Sequence, residues 1–403
     1  MKQAKKILAF FLLAACSWDS SNSPQDYLPL NDSEYPFAGV PRLVIETDDF
    51  RGIRDKETLI NAKLQVYEKD GPSSEIMTLT VRGRGNSSFR MSKYGIKLDF
   101  DQKQSLFGMP KGTDFALVAN FIDKTHVKNY VTYQLASILG DDYSPKAQFV
   151  EVFFNREYIG LYLLVESVKV SKNRVILNKN KNSYLVEKTT SHDGKPFFET
   201  KNGNLFEIKY PKAPSQESID IIVEHFNKFE DEKKDTVHFI PSNWIDTLDF
   251  ARYYWIQEFA KNFDARFLRS IFVTWEQGDV LKMGPVWDFD LAYGIFRTGT
   301  TEHKDWIVRN FGWYKWLWKN DSFKNSCHNY WAKNKHIFKN VPDSIESVSR
   351  RIRKAVENDN KRWPTLNFTE NMYHDIAFES YEDAVDSLKK WVSERYYWID
   401  GNL

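Results

Sequence analysis

The stretch Gly284-Pro-Val-Trp-Asp-Phe-Asp-Leu-Ala-Tyr-Gly294 places two acids among large apolar residues and ends on a glycine. If this stretch is extended, its side chains alternate between two faces, so Asp288 and Asp290 share one face and their apolar neighbours take the other. Two carboxylates that come close in an apolar setting repel each other and lose hydration, and this cost is met by a raised pKa or by a bound cation. Paired oxygen ligands on a short element suit Mg²⁺ that is held together with substrate phosphates. The pattern therefore predicts that both acids point into a cleft and bind a divalent metal.

The composition indicates a folded protein that exceeds one average domain. The chain has 403 residues, of which 42% are hydrophobic and 16% aromatic, and this is enough to bury a sizeable core. We expect an α+β fold with two lobes, a β-rich N-terminal part over about 37–235 and a helical C-terminal part over about 236–403. The formal net charge is +1, and this near-neutral balance does not point to a nucleic-acid partner.

The N-terminus has the order of a secretory signal. Three lysines precede the apolar run Ile7 to Ala15, which is too short for a transmembrane span, and Cys16 follows it. The sequence Leu13-Ala-Ala-Cys16 resembles the bacterial lipobox, in which the cysteine becomes the lipidated first residue of the mature protein. The alternative is an ordinary signal peptide with a chance cysteine. We predict a lipid-anchored lipoprotein of the cell envelope, facing the periplasm or the cell surface, with a signal peptide at 1–15, a lipidated N-terminus and flexible tether at 16–36, and one folded domain at 37–403.

The N-terminal part contains one unusual loop among strand-like runs. The loop Arg82-Gly-Arg-Gly-Asn-Ser-Ser88 follows the strand-like run Met77 to Arg82 and combines two arginines with two glycines. Backbone N–H and guanidinium groups in such a loop can approach an anion, although a plain turn between strands is the alternative. The candidates for anion binding in this loop are Arg82, Arg84 and Asn86.

Two charged residues lie on apolar strands further along the chain. Lys97 is flanked by Ile96 and Leu98, and on a half-buried strand it is either a phosphate ligand or an edge lysine that extends to solvent. The run Phe149 to Glu166 predicts a hairpin. Glu166, at the end of that hairpin, either pairs with Lys97 in a cleft or lies in solvent.

Helical periodicity is found in two segments before the opening stretch. Asp123 to Gly140 predicts an amphipathic helix that is capped by Asp123 or Thr125 and ended by its final glycine. A longer apolar stripe predicts core helices and ends at Asn262-Phe-Asp264. Asp264 then lies at a helix-to-strand junction, where a turn or capping role is the alternative to a place in the cleft. Because consecutive elements tend to pack as neighbours, we expect Asp264 close to the two acids of the opening stretch.

The part of the chain after about residue 300 is rich in tryptophan and basic residues. Aromatic side chains interleaved with lysine can contact carbohydrate or nucleic acid, but packing in a helical core is the favoured interpretation. Two further helices are predicted at Asn340 to Asn360 and Ala384 to Trp398. Cys327 is the one cysteine after Cys16, so it has no partner for an intrachain disulfide in the mature body.

Together these segments resemble the spore-coat protein H (CotH) kinase family, an atypical protein-kinase-like group, over most of the mature chain. The resemblance rests on the Arg82 to Ser88 loop, Lys97, Leu106-Phe107-Gly108, the Phe149 to Glu166 hairpin, Asn262-Phe-Asp264 and the opening stretch. It implies a two-lobed, atypical protein-kinase-like fold. It also implies an enzyme that uses ATP and Mg²⁺ or Mn²⁺ to phosphorylate a protein substrate.

The resemblance implies a role for each candidate residue. Asp264 would be the catalytic aspartate that orients or deprotonates the acceptor hydroxyl, and Lys97 would be the lysine that binds nucleotide phosphate. Asp288 would bind the metal, with support from Asp290. The other residues on the nucleotide side would be Arg82, Arg84, Asn86 and, as the partner of Lys97, Glu166.

The sequence departs from ordinary protein kinases in three ways. Those kinases bind a second metal through an asparagine five residues after the catalytic aspartate, whereas Arg269 stands at that position here and Ser270 follows it. No GxGxxG loop covers the nucleotide, and Asn262-Phe263 stands where an HRD motif would precede the catalytic aspartate. The metal geometry is therefore expected to differ, or a single ion suffices.

Three functions are compatible with these residues. The first is a secreted, membrane-anchored kinase that transfers the γ-phosphoryl group of ATP to a protein hydroxyl. The second is a catalytically silent, kinase-like binding or scaffold protein of the cell envelope. The third is a metal-dependent enzyme that acts on another phosphorylated or glycan substrate. The presence of all three acids, Asp264, Asp288 and Asp290, argues against the second, the same carboxylates could serve the third, and the first is the function that we predict.

Overall fold

The computed structural model describes residues 27–191, 194–295, 301–367 and 376–403. The predicted leader and Cys16 lie outside these residues. Eight strands of the N-terminal part form one sheet, and they are β1 Arg42–Thr47, β2 Ile60–Glu68, β3 Gly71–Pro72, β4 Met77–Arg84, β5 Gly95–Gln104, β6 Gly112–Val118, β7 Ala147–Phe154 and β8 Glu157–Glu166.

Seven of these strands close into a barrel. They follow in the order β1, β7, β8, β6, β5, β4 and β2, and β2 pairs with β1 to complete the ring. β1 and β7 are parallel, whereas all other neighbours in the ring are antiparallel. The short β3 pairs with β2 outside the ring. Closure removes the exposed edges that an open sheet would have.

Alternation along the strands fills the barrel with apolar side chains. Val81, Leu98 and Phe115 are neighbours in the register of β4, β5 and β6, and all three are fully buried. The adjacent register positions carry Arg82 and Lys97, paired with each other. Because neighbouring residues of a strand face opposite sides, these two charged side chains lie on the outer face of the barrel.

A second, antiparallel sheet takes strands from two distant parts of the chain. Its order is β10, β11, β9, β12 and β13, and the strands are β9 Ser183–Thr189, β10 Phe197–Glu199, β11 Leu205–Tyr210, β12 Ile271–Glu276 and β13 Lys282–Met283. β13 leads directly into the opening stretch, whose Gly284 N–H donates to the Phe272 carbonyl oxygen at 2.7 Å. A Cβ at Gly284 would lie 2.5 Å from the Phe272 Cβ, so only glycine permits this close approach.

The described residues contain seven α-helices, most of them in the C-terminal part. They are α1 Lys128–Ile138, α2 Gln216–Glu232, α3 Thr247–Ala260, α4 Tyr314–Leu317, α5 Asp321–Lys339, α6 Val341–Arg362 and α7 Tyr381–Asp400. α3 is buried almost all round, which marks it as the central helix of this part. Trp313 and Trp318 are buried in the same core, so the interpretation of the tryptophans as core residues is confirmed for them.

The predicted helix at Asp123 to Gly140 is confirmed, although it begins later than predicted. α1 starts at Lys128, whose N–H donates to Asp123 Oδ2 at 2.9 Å, so Asp123 caps the helix from outside its first turn. Gly140 has a φ of +86° and follows the end of the helix, as glycine commonly does. The two predicted C-terminal helices are confirmed as α6 and α7.

The α+β prediction, with a β-rich N-terminal part and a helical C-terminal part, is confirmed. The closure of the barrel was not predicted. The division into two kinase-like lobes near residue 235 stays a prediction. Among the described residues, no helix combines the length and the apolar character that are needed to cross a membrane.

Candidate active site

The opening stretch, Gly284 to Gly294, turns into a left-handed conformation and is not a regular strand. Asp288 has a φ of +63° and Tyr293 a φ of +55°, which non-glycine residues seldom adopt. The predicted strand is therefore wrong, although burial still alternates between the apolar residues and the acids from Trp287 to Asp290. Such a residue costs about 1–3 kcal/mol and persists where its neighbours fix it. One neighbour that does so is Asn262, whose Nδ2 donates to the Asp288 carbonyl oxygen at 3.0 Å.

The aromatic residues of the stretch hold it against α1. Trp287 and Phe289 are buried, and both rings contact Tyr133, at centroid distances of 6.0 and 6.4 Å. The Phe289 N–H also donates to Asn129 Oδ1 at 2.8 Å. The prediction that the apolar neighbours of the two acids are buried is confirmed for these two residues, while the acids keep partial exposure.

Asp290 is held by an asparagine network on and before α1. Asn129 Nδ2 donates to Asp290 Oδ1 at 2.5 Å and to Asn120 Oδ1 at 3.1 Å. Burial, and next the negative charge of Asp288, raise the pKa of Asp290 to about 7, although the bond from Asn129 opposes this shift. Apolar periodicity did not single out Asn129. No local signal in the sequence marks Asn129, because its role depends on the packing of α1 against the opening stretch.

Asp264 lies just beyond the end of α3, which closes with a left-handed C-cap residue. Asn262 Oδ1 accepts a hydrogen bond from the Asp264 N–H at 3.2 Å. Because the amide group of the same side chain binds the carbonyl oxygen of Asp288, one asparagine positions the backbone of both acids. Burial, and next the charge of Asp288, raise the pKa of Asp264 to about 7, while Arg269 and Arg266 oppose the shift.

Asp288 links the three acids electrostatically. Its charge raises the pKa of both Asp264 and Asp290, and burial raises its own pKa. Arg84 gives the largest opposing effect, and the Ser270 hydroxyl donates to Asp288 Oδ2 at 3.2 Å. The structure therefore brings the three sequence candidates together as one group, which we call the acid cluster.

Arg84 supplies positive charge to the acid cluster from the barrel. Its guanidinium lies 5.4 Å from the centroid of the Trp287 ring. Burial lowers the pKa of Arg84, and Asp288 is the first of the groups that oppose this. Gly95 faces Arg84 in the strand register, and a Cβ there would lie 3.0 Å from Arg84 Cγ. Glycine at position 95 therefore leaves room for the arginine.

The other two candidates of the Arg82 to Ser88 loop are placed elsewhere. Arg82 donates to the carbonyl oxygen of Lys56 at 2.6 Å, and Asn86 is exposed. Gly85, between them, has a φ of +107°, which an L-residue with a side chain rarely adopts. Of the three candidates in this loop, the structure brings Arg84 to the acid cluster.

Lys97 belongs to an ion-pair network on the outer face of the barrel. Its Nζ lies 2.7 Å from Asp99 Oδ1 and 3.1 Å from Asp114 Oδ1, and Lys169 also pairs with Asp114. Burial alone would raise the pKa of Asp114, but Lys97 and Lys169 outweigh burial and hold that pKa well below its usual range. Lys97 thus neutralises carboxylates of the barrel, and no acid of the acid cluster is among its ion-pair partners in the described residues.

The predicted ion pair between Lys97 and Glu166 is wrong. Glu166 Oε1 lies 3.4 Å from Arg174 Nε, and Glu166 Oε2 accepts from the Lys146 N–H at 3.0 Å. The register explains the error, because Glu166 lies opposite Phe115, which fills the barrel, whereas Lys97 lies on the outer face. Glu166 and Lys97 therefore project to different sides of the same sheet.

The acid cluster has the chemistry of a cation site. Within residues 27–191, 194–295, 301–367 and 376–403, no three histidine, cysteine, aspartate or glutamate side chains are grouped as a ready metal-binding set. Carboxylate oxygens are nevertheless the ligands that Mg²⁺ prefers, and a bound cation would offset the repulsion that raises these pKa values. Asp288 and Asp290 therefore fit a divalent ion as a pair, with the remaining ligands supplied by substrate or water.

One protein-family model covers both the acid cluster and Arg84. It is described as CotH kinase protein and matches residues 81–399, which is most of the chain. The chain belongs to the CotH kinase family. A search of curated proteins gave no match. Membership of the CotH kinase family supports a kinase as the general class of protein.

The acid cluster of this CotH kinase family protein should make its stability depend on pH. The folded protein keeps protons on Asp264 and Asp290 up to a pKa of about 7, whereas the unfolded chain loses them near pH 4. The folded state therefore binds more protons between these values, and the free energy of unfolding falls as the pH rises from about 4 through about 7. We expect Asp290→Asn to remove part of this fall, as measured by thermal unfolding of the ligand-free protein across this range. An identical pH profile in wild type and Asp290→Asn would show that the carboxyl titrates normally.

Proposed function

We propose that this protein is a kinase that transfers the γ-phosphoryl group of ATP to a protein hydroxyl, with Mg²⁺ or Mn²⁺. The observation that carries the proposal is the acid cluster, in which the buried Asp264 and the half-buried Asp288 and Asp290 share one site next to the guanidinium of Arg84. Membership of the CotH kinase family supports the same reaction class. Phosphoryl transfer relies mainly on positioning and on neutralising phosphate charge, and this set of residues can do both.

Asp264 is the proposed general base. A carboxylate with a pKa near 7 is better matched to accept a proton at neutral pH than an ordinary aspartate. The acceptor hydroxyl gives its proton to Asp264 as its oxygen bonds to the γ-phosphorus. The bond from that phosphorus to the bridging oxygen of the β-phosphate breaks, and ADP leaves.

Asp288 and Asp290 are the proposed metal ligands. A divalent ion bound there would neutralise phosphate charge and align the triphosphate. Hydrogen bonds from neighbouring side chains hold these two residues in place. Asn129 holds Asp290, and Asn262 and Ser270 hold the backbone and the carboxylate of Asp288.

Arg84 is the phosphate ligand that the described contacts support most directly. Its charge opposes that of Asp288 and Asp290, but within the described residues it forms no ion pair with either, so its donors can serve a phosphate as well. Lys97 remains a proposed phosphate ligand, but it would have to share its charge with Asp99 and Asp114. Arg82, Asn86 and Glu166 are proposed to shape the nucleotide side without contact to the acid cluster.

We further propose that the barrel and the helical part act as two lobes with the acid cluster between them. The chain is also proposed to be a lipoprotein of the cell envelope, anchored through lipid on Cys16 after removal of residues 1–15. Mass spectrometry of the mature N-terminal peptide should show a diacylglyceryl mass on that cysteine. A free thiol at Cys16 in the mature protein would rule the anchor out.

Binding of nucleotide with metal should stabilise the folded protein. At a ligand concentration of one hundred times Kd, the gain is about 2.7 kcal/mol in the free energy of unfolding. We expect ATP with Mg²⁺ to raise the melting temperature of the wild type. We expect no such rise in Asp288→Asn, because the variant loses a proposed metal ligand.

Asp70→Asn is the matched control, since Asp70 is an exposed aspartate on the turn between β2 and β3. This variant should respond to ATP and Mg²⁺ as the wild type does. An equal rise in Asp288→Asn would contradict the proposed metal site. A rise in the wild type without transfer to any acceptor would favour the silent scaffold protein.

A further inference from the structure

The turn at 264–268, which begins with Asp264, packs against a rigid segment of the helical part. That segment is 306–313, and Glu258 fixes it by accepting hydrogen bonds from the backbone N–H groups of three successive residues, at 2.8 Å from Ile307, 2.8 Å from Val308 and 3.2 Å from Arg309. Arg395 completes this support, because it pairs with Glu258 at 2.9 Å in a fully buried contact. The segment therefore forms a fixed wall beside the turn.

The contact between the wall and the turn depends on a glycine. Gly312 has a φ of +52°, and a Cβ there would lie only 2.3 Å from Phe267 Cγ. Phe311, which precedes Gly312, is 40% exposed, and its ring centroid lies 5.1 Å from the guanidinium carbon of Arg266. This partly exposed ring is available to contact a substrate beside Arg266.

The guanidinium of Arg266 lies between an aromatic ring at the turn and an aromatic ring of the wall. Its guanidinium carbon is 3.5 Å from the centroid of the Phe263 ring and 5.1 Å from that of Phe311. Arg266 follows Asp264 by two positions, and its backbone N–H donates to the Phe263 carbonyl oxygen at 3.2 Å. Stacking on aromatic rings orders a guanidinium and leaves its edge free to donate hydrogen bonds.

The donors of Arg266 are unused in the described part of the chain. Its Nε is buried without a hydrogen-bond partner there, and a buried unpaired donor is unfavourable. Among the described residues, Asp264 is the one carboxylate whose charge raises the pKa of Arg266, and the two side chains do not form a salt bridge. Arg266 itself is half-buried and has no carboxylate in salt-bridge contact among the described residues, whereas the buried Arg174 pairs with Glu166. A guanidinium has five donors in a planar fork, and Nε together with one terminal nitrogen matches the two oxygens of a carboxylate.

We propose that Arg266 binds a carboxylate side chain of the acceptor protein, so that the hydroxyl to be phosphorylated lies near an aspartate or glutamate. This inference rests on the proposed kinase function. The position of Arg266 separates it from the nucleotide side. Arg84 and Arg269 act on Asp288, the proposed metal ligand, and Arg269 acts on Asp264 as well. Arg266 follows Asp264 by two positions and is not among the groups that act on Asp288, so we place it on the acceptor side.

Serine peptides with fixed flanking residues test this inference. Three degenerate sets carry Asp, Gln or Lys at the positions around the serine, and kcat/KM is measured for each with ATP and Mg²⁺. We expect the wild type to prefer the Asp set to the Gln set by about tenfold, the value of one charge-assisted contact. Arg266→Gln should lose this preference, and Arg266→Glu should shift it to the Lys set.

Two further variants separate recognition from other effects. Arg350→Gln removes an exposed arginine on α6 that pairs with Glu346, and it should keep the wild-type preference. Arg266→Lys keeps the charge but lacks the fork, so it should keep only a reduced preference. A main effect of Arg266→Gln on the KM for ATP would overturn the inference, because it would place the guanidinium at the nucleotide.

The outcomes distinguish this inference from the function on which it rests. If the wild type phosphorylates all three sets equally, Arg266 does not select acidic acceptors, while the kinase function stands. If the wild type prefers the Asp set and Arg266→Glu does too, the preference comes from another residue and the inference is overturned. If the wild type phosphorylates no set, the kinase function and this inference fail together.

Discussion

Asp288→Asn should slow phosphoryl transfer by about 10²–10³ and at the same time stabilise the ligand-free protein. The loss of transfer is expected because the residue is a proposed metal ligand. Removal of one group that stabilises charge in an active site commonly lowers the rate by about 10²–10³. The gain in stability is expected because Asp288 raises the pKa of both Asp264 and Asp290. Asparagine removes that repulsion and keeps a similar shape.

The opposite signs of these two effects make the prediction specific. We expect a gain of about 1 kcal/mol in the free energy of unfolding near pH 8, the size that relief of strain at an active site commonly gives. Thermal unfolding and a transfer assay on the same preparation measure both effects. Asp70→Asn, at an exposed position, should change neither. A variant that loses both activity and stability would instead show that Asp288 serves the fold.

Lys93→Met should destabilise the protein by about 3–5 kcal/mol, the cost of leaving one charge of a buried pair without its partner. Lys93 Nζ lies 2.6 Å from Asp359 Oδ1, and both side chains are almost fully buried. Lys93 also donates to the Leu161 carbonyl oxygen at 2.7 Å, and Asp359 Oδ1 accepts from the Leu161 N–H at 2.7 Å. The pair therefore ties α6 to strand β8 of the barrel.

Chemical or thermal unfolding checks this prediction. Lys181→Met is the matched control, because Lys181 pairs with Asp279 at 2.8 Å on the exposed surface, and its melting temperature should stay near that of the wild type. The double variant Lys93→Met with Asp359→Asn should recover part of the loss, since no unpaired charge remains. Equal effects of Lys93→Met and Lys181→Met would show that the buried pair does not support the fold.

The sequence predicted those parts of the fold that local patterns determine. The helix before Gly140 has both a capping aspartate and a terminating glycine, and both act as expected. Barrel closure depends instead on β1, which pairs with β2 on one side and with β7 on the other. β2 and β7 are far apart along the chain, so no local pattern reveals that β1 joins them. The predicted strand at Gly284 to Gly294 was wrong because the φ of Asp288 is fixed by tertiary contacts with Asn262.

The candidate site was predictable where chemistry-bearing residues lie in unusual surroundings. Asp264, Asp288 and Asp290 stood out as acids next to apolar residues, and the structure places them in one cluster. Asn129 has no such contrast on its helix, and its role follows only from the fold that brings α1 to the opening stretch. The partner of Lys97 could not be read from the sequence, because it depends on which strand positions share the outer face.

One measurement tests the proposed kinase function most directly. The mature protein is incubated with the serine peptide sets, Mg²⁺ and ATP that is labelled either at the γ-phosphate or at the α-phosphate, beside the Asp264→Asn variant. A kinase transfers the γ label and not the α label, and we expect Asp264→Asn to transfer neither. Transfer of the α label, no transfer at all, or equal γ transfer by Asp264→Asn would contradict phosphoryl transfer with Asp264 as the base.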